Sequence, residues 1–285
     1  MKKWLLALLT ALAVFALAAC GGGSEGNNEE GNGGSEGGGT EDKELVVGAS
    51  NVPHAIILEE AKPLLEEKGY ELTIETFQDY VLPNQALAEE ELDANYFQHI
   101  PYFESQKKEH GYDFANAGGI HIEPIGVYSQ KYKSLEELPE GATILMSSSV
   151  ADHGRILTML EKQGLIKLKE GVNKEEATIE DIAENEKNLK FDYDYEAALL
   201  PQVYQNGEGD AVLINSNYAI DAGLNPLEDA IALEEEDSPY VNIIAVRSGD
   251  EDSEKIKALV EVLRSEEIQS FMKEEWGGSV VPVSQ

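Results

Sequence analysis

The sequence is nearly devoid of cysteine and poor in arginine, and both shortages limit what the protein can be. Cys20 is the only cysteine in 285 residues, so no disulfide can form within the chain. The only arginines are Arg155, Arg247 and Arg264, and 21 basic residues face 55 acidic ones, a formal net charge of -34. Nucleic acid and anionic lipid both require a basic surface, so neither is expected to bind the protein's own surface.

Long hydrophobic runs are also scarce, and the clearest one lies near the N-terminus. Residues 4–16 are an apolar run of 13 that follows Lys2 and Lys3, whereas a spanning helix needs about 20 residues. The run ends in Leu17-Ala18-Ala19-Cys20, which resembles a lipobox, where signal peptidase II cuts and the cysteine carries lipid. We predict a lipoprotein signal peptide over residues 1–19 and a lipid on Cys20 that holds the protein at the extracytoplasmic face of the cell membrane. An ordinary signal peptide with an unrelated cysteine is the alternative.

Residues 20–43 carry the lipidated cysteine and then a segment rich in glycine, serine and glutamate. Ten of the 26 glycines fall within residues 21–40. Such a composition cannot bury apolar area, so we predict a flexible tether with a reach of about 25 Å.

From Glu44 onward, strand-like and helix-like patterns alternate, which is typical of an α/β protein with largely parallel sheets. A body of about 240 residues favours two lobes. Strands are predicted at residues 44–50, 71–77, 94–97, 119–129, 142–147, 188–195, 209–215 and 240–248. The clearest helices are predicted at residues 54–68, 83–92, 102–111, 151–166 and 253–276.

Catalytic motifs are missing from this body. Ser147 to Ser149 lie close to Asp152 and His153, but neighbouring residues on one helical turn cannot form a Ser-His-Asp triad. A phosphate-binding lysine loop is also absent. We therefore predict neither an enzyme nor a cofactor.

The five histidines do not show the spacing of a metal site. A site assembled in three dimensions from separated histidines stays open, as in divalent-metal-binding lipoproteins. In that alternative, His99 is the first ligand to test.

A few residues instead indicate ligand binding. Arg155 is predicted in the first turn of a helix after a strand, where a guanidinium can hold a carboxylate through two hydrogen bonds. Asn215 follows an apolar strand and Asn242 lies inside one, so each amide needs a hydrogen-bonding partner if it is buried. Satisfied core amides are the alternative for both. The stretch DANYFQHIPY at residues 93–102 adds a cluster of aromatic side chains.

Six segments, in this order, resemble the methionine-binding lipoproteins, the substrate-binding subunits of methionine ABC importers. They are DYVLPNQAL (79–87), DANYFQHIPYF (93–103), IEPIGVYS (122–129), GRILTMLEKQGLIKLK (154–169), INSNYAIDAGLNP (214–226) and SPYVNIIAVR (238–247). The resemblance implies a two-lobed periplasmic-binding-protein fold of the type II kind, with the ligand in a cleft between lobes. We assign residues 44–123 and 236–285 to one lobe and residues 124–235 to the other.

The resemblance also implies roles for particular residues. The ligand side chain is expected in an aromatic pocket, the carboxylate on an arginine, and the polar contacts on two amides. In this sequence the pocket residues are Tyr80, Phe97, His99 and Tyr102, the arginine is Arg155, and the amides are Asn215 and Asn242. Asp152 stands where many members have asparagine, so it either takes the ligand's ammonium or only caps the helix.

Such a protein captures methionine and delivers it to a membrane permease, whose ATPase subunit drives transport. The sequence leaves L-methionine, D-methionine, a methionine-containing dipeptide and another small apolar amino acid open as ligands. A surface interaction protein whose cleft binds no small molecule is an alternative of another class.

Overall fold

The structure is a computed structural model that describes residues 43–235 and 238–283. The signal peptide predicted at residues 1–19, the lipidated Cys20 and all but the last residue of the predicted tether lie outside the described residues. Across the described ranges, no helix combines the length and the apolar character needed to cross a membrane.

Thirteen strands and nine α-helices are found in the described part of the chain. The strands are β1 (Glu44–Ser50), β2 (Glu71–Phe77), β3 (Ala94–His99), β4 (Phe114–Ile122), β5 (Gly126–Tyr128), β6 (Thr143–Ser147), β7 (Lys167–Leu168), β8 (Ile182–Glu184), β9 (Lys190–Tyr195), β10 (Ala211–Ile214), β11 (Ala232–Leu233), β12 (Val241–Arg247) and β13 (Val281–Pro282). The helices are α1 (Ile56–Glu67), α2 (Leu82–Ala88), α3 (Ile100–His110), α4 (Val150–Lys162), α5 (Leu200–Gln205), α6 (Ser216–Asp221), α7 (Pro226–Asp229), α8 (Glu254–Leu263) and α9 (Glu266–Trp276).

The first lobe is built on a six-stranded sheet in the order β13-β4-β12-β3-β1-β2. Strand β1 runs parallel to β2 and β3, and the remaining pairs are antiparallel. Strand β1 and helices α1, α8 and α9 supply many of the buried apolar side chains of this lobe's core, among them Leu45, Leu58 and Leu259. The apolar residues of α8 recur at helical spacing and so form one face of the helix. This face packs on the sheet.

The second lobe is built on a five-stranded sheet in the order β11-β5-β10-β6-β9. Strand β6 runs parallel to β9 and β10, whereas β5 pairs antiparallel with β10 and β11. Its core includes Ile144 of β6, Leu157 of α4 and Leu213 of β10. The fold is α/β with two lobes, as predicted, while the exact lobe boundaries at residues 123/124 and 235/236 stay a prediction.

Two predictions about the sheets were wrong. The sheets are mixed rather than largely parallel, because β12 and β13 return to the first lobe antiparallel to their neighbours. The strand predicted at residues 119–129 is divided between β4 and β5. Pro124 lies in the gap, where it cannot donate a ladder hydrogen bond.

Three helices also end earlier than predicted, and the one predicted at residues 83–92 stops at Ala88. Helix α4 stops at Lys162 because Gly164 adopts a φ of 73°, in the left-handed region that ends helices. The helix predicted at residues 253–276 is broken into α8 and α9. Ser265 lies at the break and accepts a hydrogen bond from the Ile268 N–H, so it caps the start of α9.

Helix α4 passes so close to the chain at residues 174–175 that only glycine fits at position 154. A Cβ on Gly154 would lie 2.4 Å from the Lys174 carbonyl oxygen and 2.5 Å from that of Glu175. Because backbone atoms cannot rotate away, we expect Gly154→Ala to lower the free energy of unfolding by about 1–3 kcal/mol. Thermal or urea denaturation measures this change. Val150→Ala, at an exposed position of the same helix, is the control, and an equal or higher stability of Gly154→Ala would contradict the prediction.

Candidate functional site

One cleft between the lobes brings together all eight residues that the sequence singled out for ligand binding. They come from different elements: Tyr80 follows β2, Phe97 and His99 end β3, Tyr102 lies in α3, Asp152 and Arg155 lie in α4, Asn215 follows β10 and Asn242 lies in β12. The cleft lies where strands β3 and β10 end, which is the usual place for ligands of α/β sheets. The contacts of these residues with a ligand stay a prediction.

Arg155 is the buried cation of the cleft. Its Nε donates to Glu234 Oε2 over 2.9 Å, and its NH2 group donates to the same oxygen and, over 2.7 Å, to the Glu123 carbonyl. Its guanidinium also lies 4.6 Å from the centre of the Tyr240 ring. Burial lowers the pKa of Arg155, but the charges of Glu234 and Asp152 outweigh this effect and raise the pKa. The side chain therefore stays protonated.

The position of Arg155 differs in one respect from the sequence prediction. Helix α4 begins at Val150, so Arg155 lies in its second turn rather than its first. Asp152 does lie in the first turn. The guanidinium is held by the Glu234 carboxylate and by the backbone carbonyl of Glu123.

Asp152 links the two lobes. His99 Nε2 lies 3.1 Å from its Oδ1, and Asn215 Nδ2 donates to its Oδ2 over 3.3 Å. Burial raises the pKa of Asp152, but the hydrogen bond and charge of His99, followed by Arg155 and Asn215, bring it below its usual value. Asp152 is therefore ionised and already has partners.

The aromatic wall consists of Tyr80, Phe97 and Tyr102, whose ring centres lie 5.9–6.1 Å apart. The Tyr102 hydroxyl donates to the Tyr80 carbonyl over 2.9 Å, and the Tyr80 hydroxyl donates to Asn217 Oδ1 over 2.6 Å. Tyr96, the neighbour of Phe97 in β3, is fully buried in the first lobe's core, since side chains alternate along a strand.

The residues of this region that the sequence prediction missed include Glu123, Asn217 and Glu234. Glu123 is a buried carboxylate in the cleft. Burial raises its pKa, which His54 and Arg155 partly oppose. A signal for Glu123 existed, because an ionisable residue stood inside a predicted strand between Ile122 and Pro124. Asn217 and Glu234 carried no such signal.

A histidine–carboxylate cluster lies next to the cleft. Within residues 43–235 and 238–283, only His54, His121 and Glu123 form a group of three whose potential metal-binding atoms lie within 4.8 Å of one another. His99 is not part of it. His121 Nε2 is hydrogen-bonded to Glu123 Oε1 over 2.8 Å. His54 Nε2 lies 3.2 Å from the same oxygen, while its hydrogen bond is to Asn242 Oδ1.

The cleft is nearly closed. The space among its lining side chains is about 20 Å³, about enough for one water molecule. A wider groove of about 740 Å³ adjoins Tyr80 and Tyr102 and is also lined by Val150, Leu199 and Tyr218. A ligand of amino-acid size therefore needs the lobes or the lining side chains to move apart before it can enter.

Comparison with known proteins gives a family for this chain. The family model described as NlpA lipoprotein matches residues 45–284. The chain is 50% identical to the methionine-binding lipoprotein MetQ of Bacillus subtilis over the whole of both chains. It is 39% identical to the D-methionine-binding lipoprotein MetQ of Salmonella typhi, over 83% of this chain and 86% of that one.

A solved structure of a nutrient binding protein from Burkholderia cenocepacia, bound to methionine, is similar to this chain. The TM-score is 0.79 and the identity 43%, over 84% of this chain and all of the other. The family model covers nearly the whole folded body, and the B. subtilis relative is matched from end to end. The chain belongs to the NlpA lipoprotein family, the family of the methionine-binding lipoproteins.

Proposed function

We propose that this protein is the substrate-binding lipoprotein of an ABC importer and that its cleft captures methionine for delivery to the permease. The observation that carries the proposal is the convergence of a buried guanidinium, buried carboxylates and an aromatic wall on one cleft. An amino acid with an apolar side chain presents the matching groups, namely a carboxylate, an ammonium and a hydrophobic end.

Arg155 receives the ligand's carboxylate. A guanidinium has five N–H donors, and Nε and NH2 are engaged by Glu234 and the Glu123 carbonyl. NH1 lies 3.7 Å from Asp152, beyond a hydrogen bond, so its donors are left for the ligand. Glu234 thus orients the guanidinium rather than binding ligand.

Glu123 and Asn215 receive the ammonium. Glu123 is a buried carboxylate whose pKa is raised by desolvation, so a bound ammonium stabilises its ionised form. Among the described residues, Asn215 Oδ1 is a buried acceptor without a hydrogen-bond partner, because the amide nitrogen of this side chain is the group turned to Asp152. Asp152 orients His99 and Asn215, and Asn242 completes the polar side.

Tyr80, Phe97, His99 and Tyr102 surround the ligand's side chain. Contacts between a thioether and an aromatic edge contribute about 0.3–1.5 kcal/mol each. An uncharged aromatic wall suits methionine without requiring a charge on the side chain.

Ligand binding favours the closed arrangement because the binding groups come from both lobes, and a ligand that contacts both shifts the population toward closure. The protein itself carries out no reaction. The lipid on Cys20 holds it at the extracytoplasmic face of the membrane, and the closed form docks on the permease.

The proposal is tested by identifying what the purified full-length chain carries. We expect mass spectrometry after mild denaturation to release methionine, and a thermal-shift screen of amino acids and divalent metals to respond to methionine. Parallel titrations with L-methionine, D-methionine and methionine-containing dipeptides define the preferred ligand. A melting temperature raised by zinc and by no amino acid would contradict the proposal and favour a metal-binding lipoprotein. No response to any compound would favour a surface interaction protein.

The Tyr80 hydroxyl offers a test of lobe closure. It donates to Asn217 Oδ1 across the cleft, and one such bond contributes about 1 kcal/mol. We expect Tyr80→Phe to weaken methionine binding about fivefold, as measured by calorimetry. Tyr112→Phe is the control, because Tyr112 stacks on Phe114 outside the cleft. Equal affinities of the two variants would contradict the prediction.

A further inference from the structure

We propose that His121 is a positioning residue, whose Nε2–H group holds the Glu123 carboxylate where it receives the ligand's ammonium, with His54 packed beside the same oxygen, and that the Tyr96 hydroxyl fixes the tautomer of His121. The inference rests on the proposed function, because it explains how the ammonium-binding carboxylate of the cleft is oriented. Neither histidine lines the cleft itself.

The first support is the convergence of two imidazoles on one oxygen. His121 Nε2 lies 2.8 Å and His54 Nε2 lies 3.2 Å from Glu123 Oε1. Both histidines are at most 1% exposed, so water does not compete for these bonds. An N–H donor on this oxygen favours the ionised carboxylate, because a hydrogen bond to an ionised acceptor is stronger than one to a neutral acceptor.

The second support is the contact behind His121. The Tyr96 hydroxyl lies 2.5 Å from His121 Nδ1. When the phenol donates to Nδ1, the single proton of the neutral ring resides on Nε2 and points at Glu123. This tautomer is assigned from the hydrogen-bond network, and it satisfies the hydroxyl, both ring nitrogens and the carboxylate oxygen.

His54 has a different hydrogen-bond partner. Its Nε2 lies 3.1 Å from Asn242 Oδ1, so a proton there is donated to the amide oxygen, with Glu123 Oε1 next to it at 3.2 Å. Within the described part of the chain, His54 Nδ1 is buried and without a hydrogen-bond partner. In this tautomer Nδ1 carries a lone pair and no proton. No N–H donor of the ring is therefore buried without a partner.

Burial keeps both rings neutral. Desolvation lowers the pKa of His54 to about 4 and that of His121 to about 3. At neutral pH, each ring then supplies one N–H and no charge. The histidines orient Glu123 without neutralising it, and its negative charge stays available to a ligand's ammonium.

The strands of the first lobe make this arrangement rigid. In the pairing of β4 with β12, His121 lies opposite Asn242, and Glu123 follows directly after β4. The backbone N–H of Asn217, in the second lobe, acts to lower the pKa of the Glu123 carboxyl. The carboxylate is thus oriented from one lobe and influenced by the other.

The test is a double-mutant cycle on the full-length chain, with methionine affinity measured by calorimetry. We expect His121→Gln to weaken binding about tenfold and Tyr96→Phe about threefold. In a Glu123→Gln background, neither change should weaken binding further by more than about twofold, because the group that they orient has lost its charge. Tyr128→Phe is the matched control, since Tyr128 is also fully buried and its hydroxyl has no hydrogen-bond partner among the described residues.

Two results would overturn this inference without contradicting the proposed function. Losses of equal size with and without the Glu123→Gln change would show a structural role, and stoichiometric zinc in the purified chain would make the imidazoles metal ligands instead of donors. Tyr96→Phe keeps the test decisive if His121→Gln does not fold. Failure of the unaltered chain to bind methionine would refute the proposed function and, through it, the inference.

Discussion

Replacing Arg155 by alanine is expected to weaken methionine binding at least about tenfold. The change removes the only guanidinium that lines the described part of the cleft. Truncating one partner of a buried, hydrogen-bonded charge pair costs about 2–5 kcal/mol. The same reasoning therefore allows a loss of affinity greater than tenfold. Calorimetric titration of the full-length variant measures it.

Controls separate the loss of a ligand contact from a general loss of structure. Arg155→Ala also leaves Glu234 without its cation, so its melting temperature should fall as well. Arg155→Lys keeps the charge but not the forked geometry and should recover only part of the affinity. Arg264→Ala should bind normally, because Arg264 donates to the Gly119 carbonyl away from the cleft. An unchanged affinity of Arg155→Ala would refute the carboxylate assignment.

Replacing Glu123 by glutamine is expected to weaken methionine binding by at least about tenfold, since the ammonium loses its counter-charge in a buried site. Glutamine keeps the shape and one acceptor oxygen, so the fold should persist. A methionine analogue without the amino group is the matched probe, and its affinity should not fall in the variant. Equal losses for methionine and for the analogue would contradict the assignment of Glu123 to the ammonium.

The same carboxylate predicts a pH dependence. Burial raises the pKa of Glu123 above its ordinary 4.5 in the empty cleft, with His54 and Arg155 opposing, whereas a bound ammonium favours the ionised form. Affinity should therefore be constant near neutral pH, where the ligand's amino group is protonated, and fall as the pH drops through the raised pKa, by up to about tenfold per unit. His99 and Asp152 also face the cleft, but the pKa of Asp152 is lowered, so that group titrates at lower pH.

Glu123→Gln is the control for the pH profile. The variant should show a flatter profile above pH 4.5, the ordinary value for a glutamate. The same dependence in both proteins would assign the titration to a group other than Glu123.

Periodicity predicted most elements of the fold because their apolar spacing is local. Strands β1 and β2 begin and end where the alternation placed them, and α1 stops before Gly69, which has a φ of 87°. Strand direction was predicted poorly. Whether β12 returns parallel or antiparallel depends on the path of the intervening chain, which no local pattern encodes.

In the candidate site, too, some residues could be predicted from the sequence and others could not. Tyr80, Phe97, Arg155 and Asn215 carried signals in the sequence, because polar or aromatic side chains at strand ends and in matching motifs stand out. Glu234 did not, since a glutamate within an acidic stretch looks like a solvated surface residue until folding brings it to Arg155.

The sequence by itself determined the class of protein, the family resemblance and the side chains that converge on the cleft, because these depend on residue types and on local order. Tertiary structure alone decided which buried carboxylate keeps a raised pKa. Asp152 and Glu123 are both buried acids, but the pKa of Asp152 is lowered by His99, Arg155 and Asn215, whereas that of Glu123 is raised by burial. That difference arises from distances between residues far apart in the chain, and Coulomb energy depends on those distances rather than on sequence order.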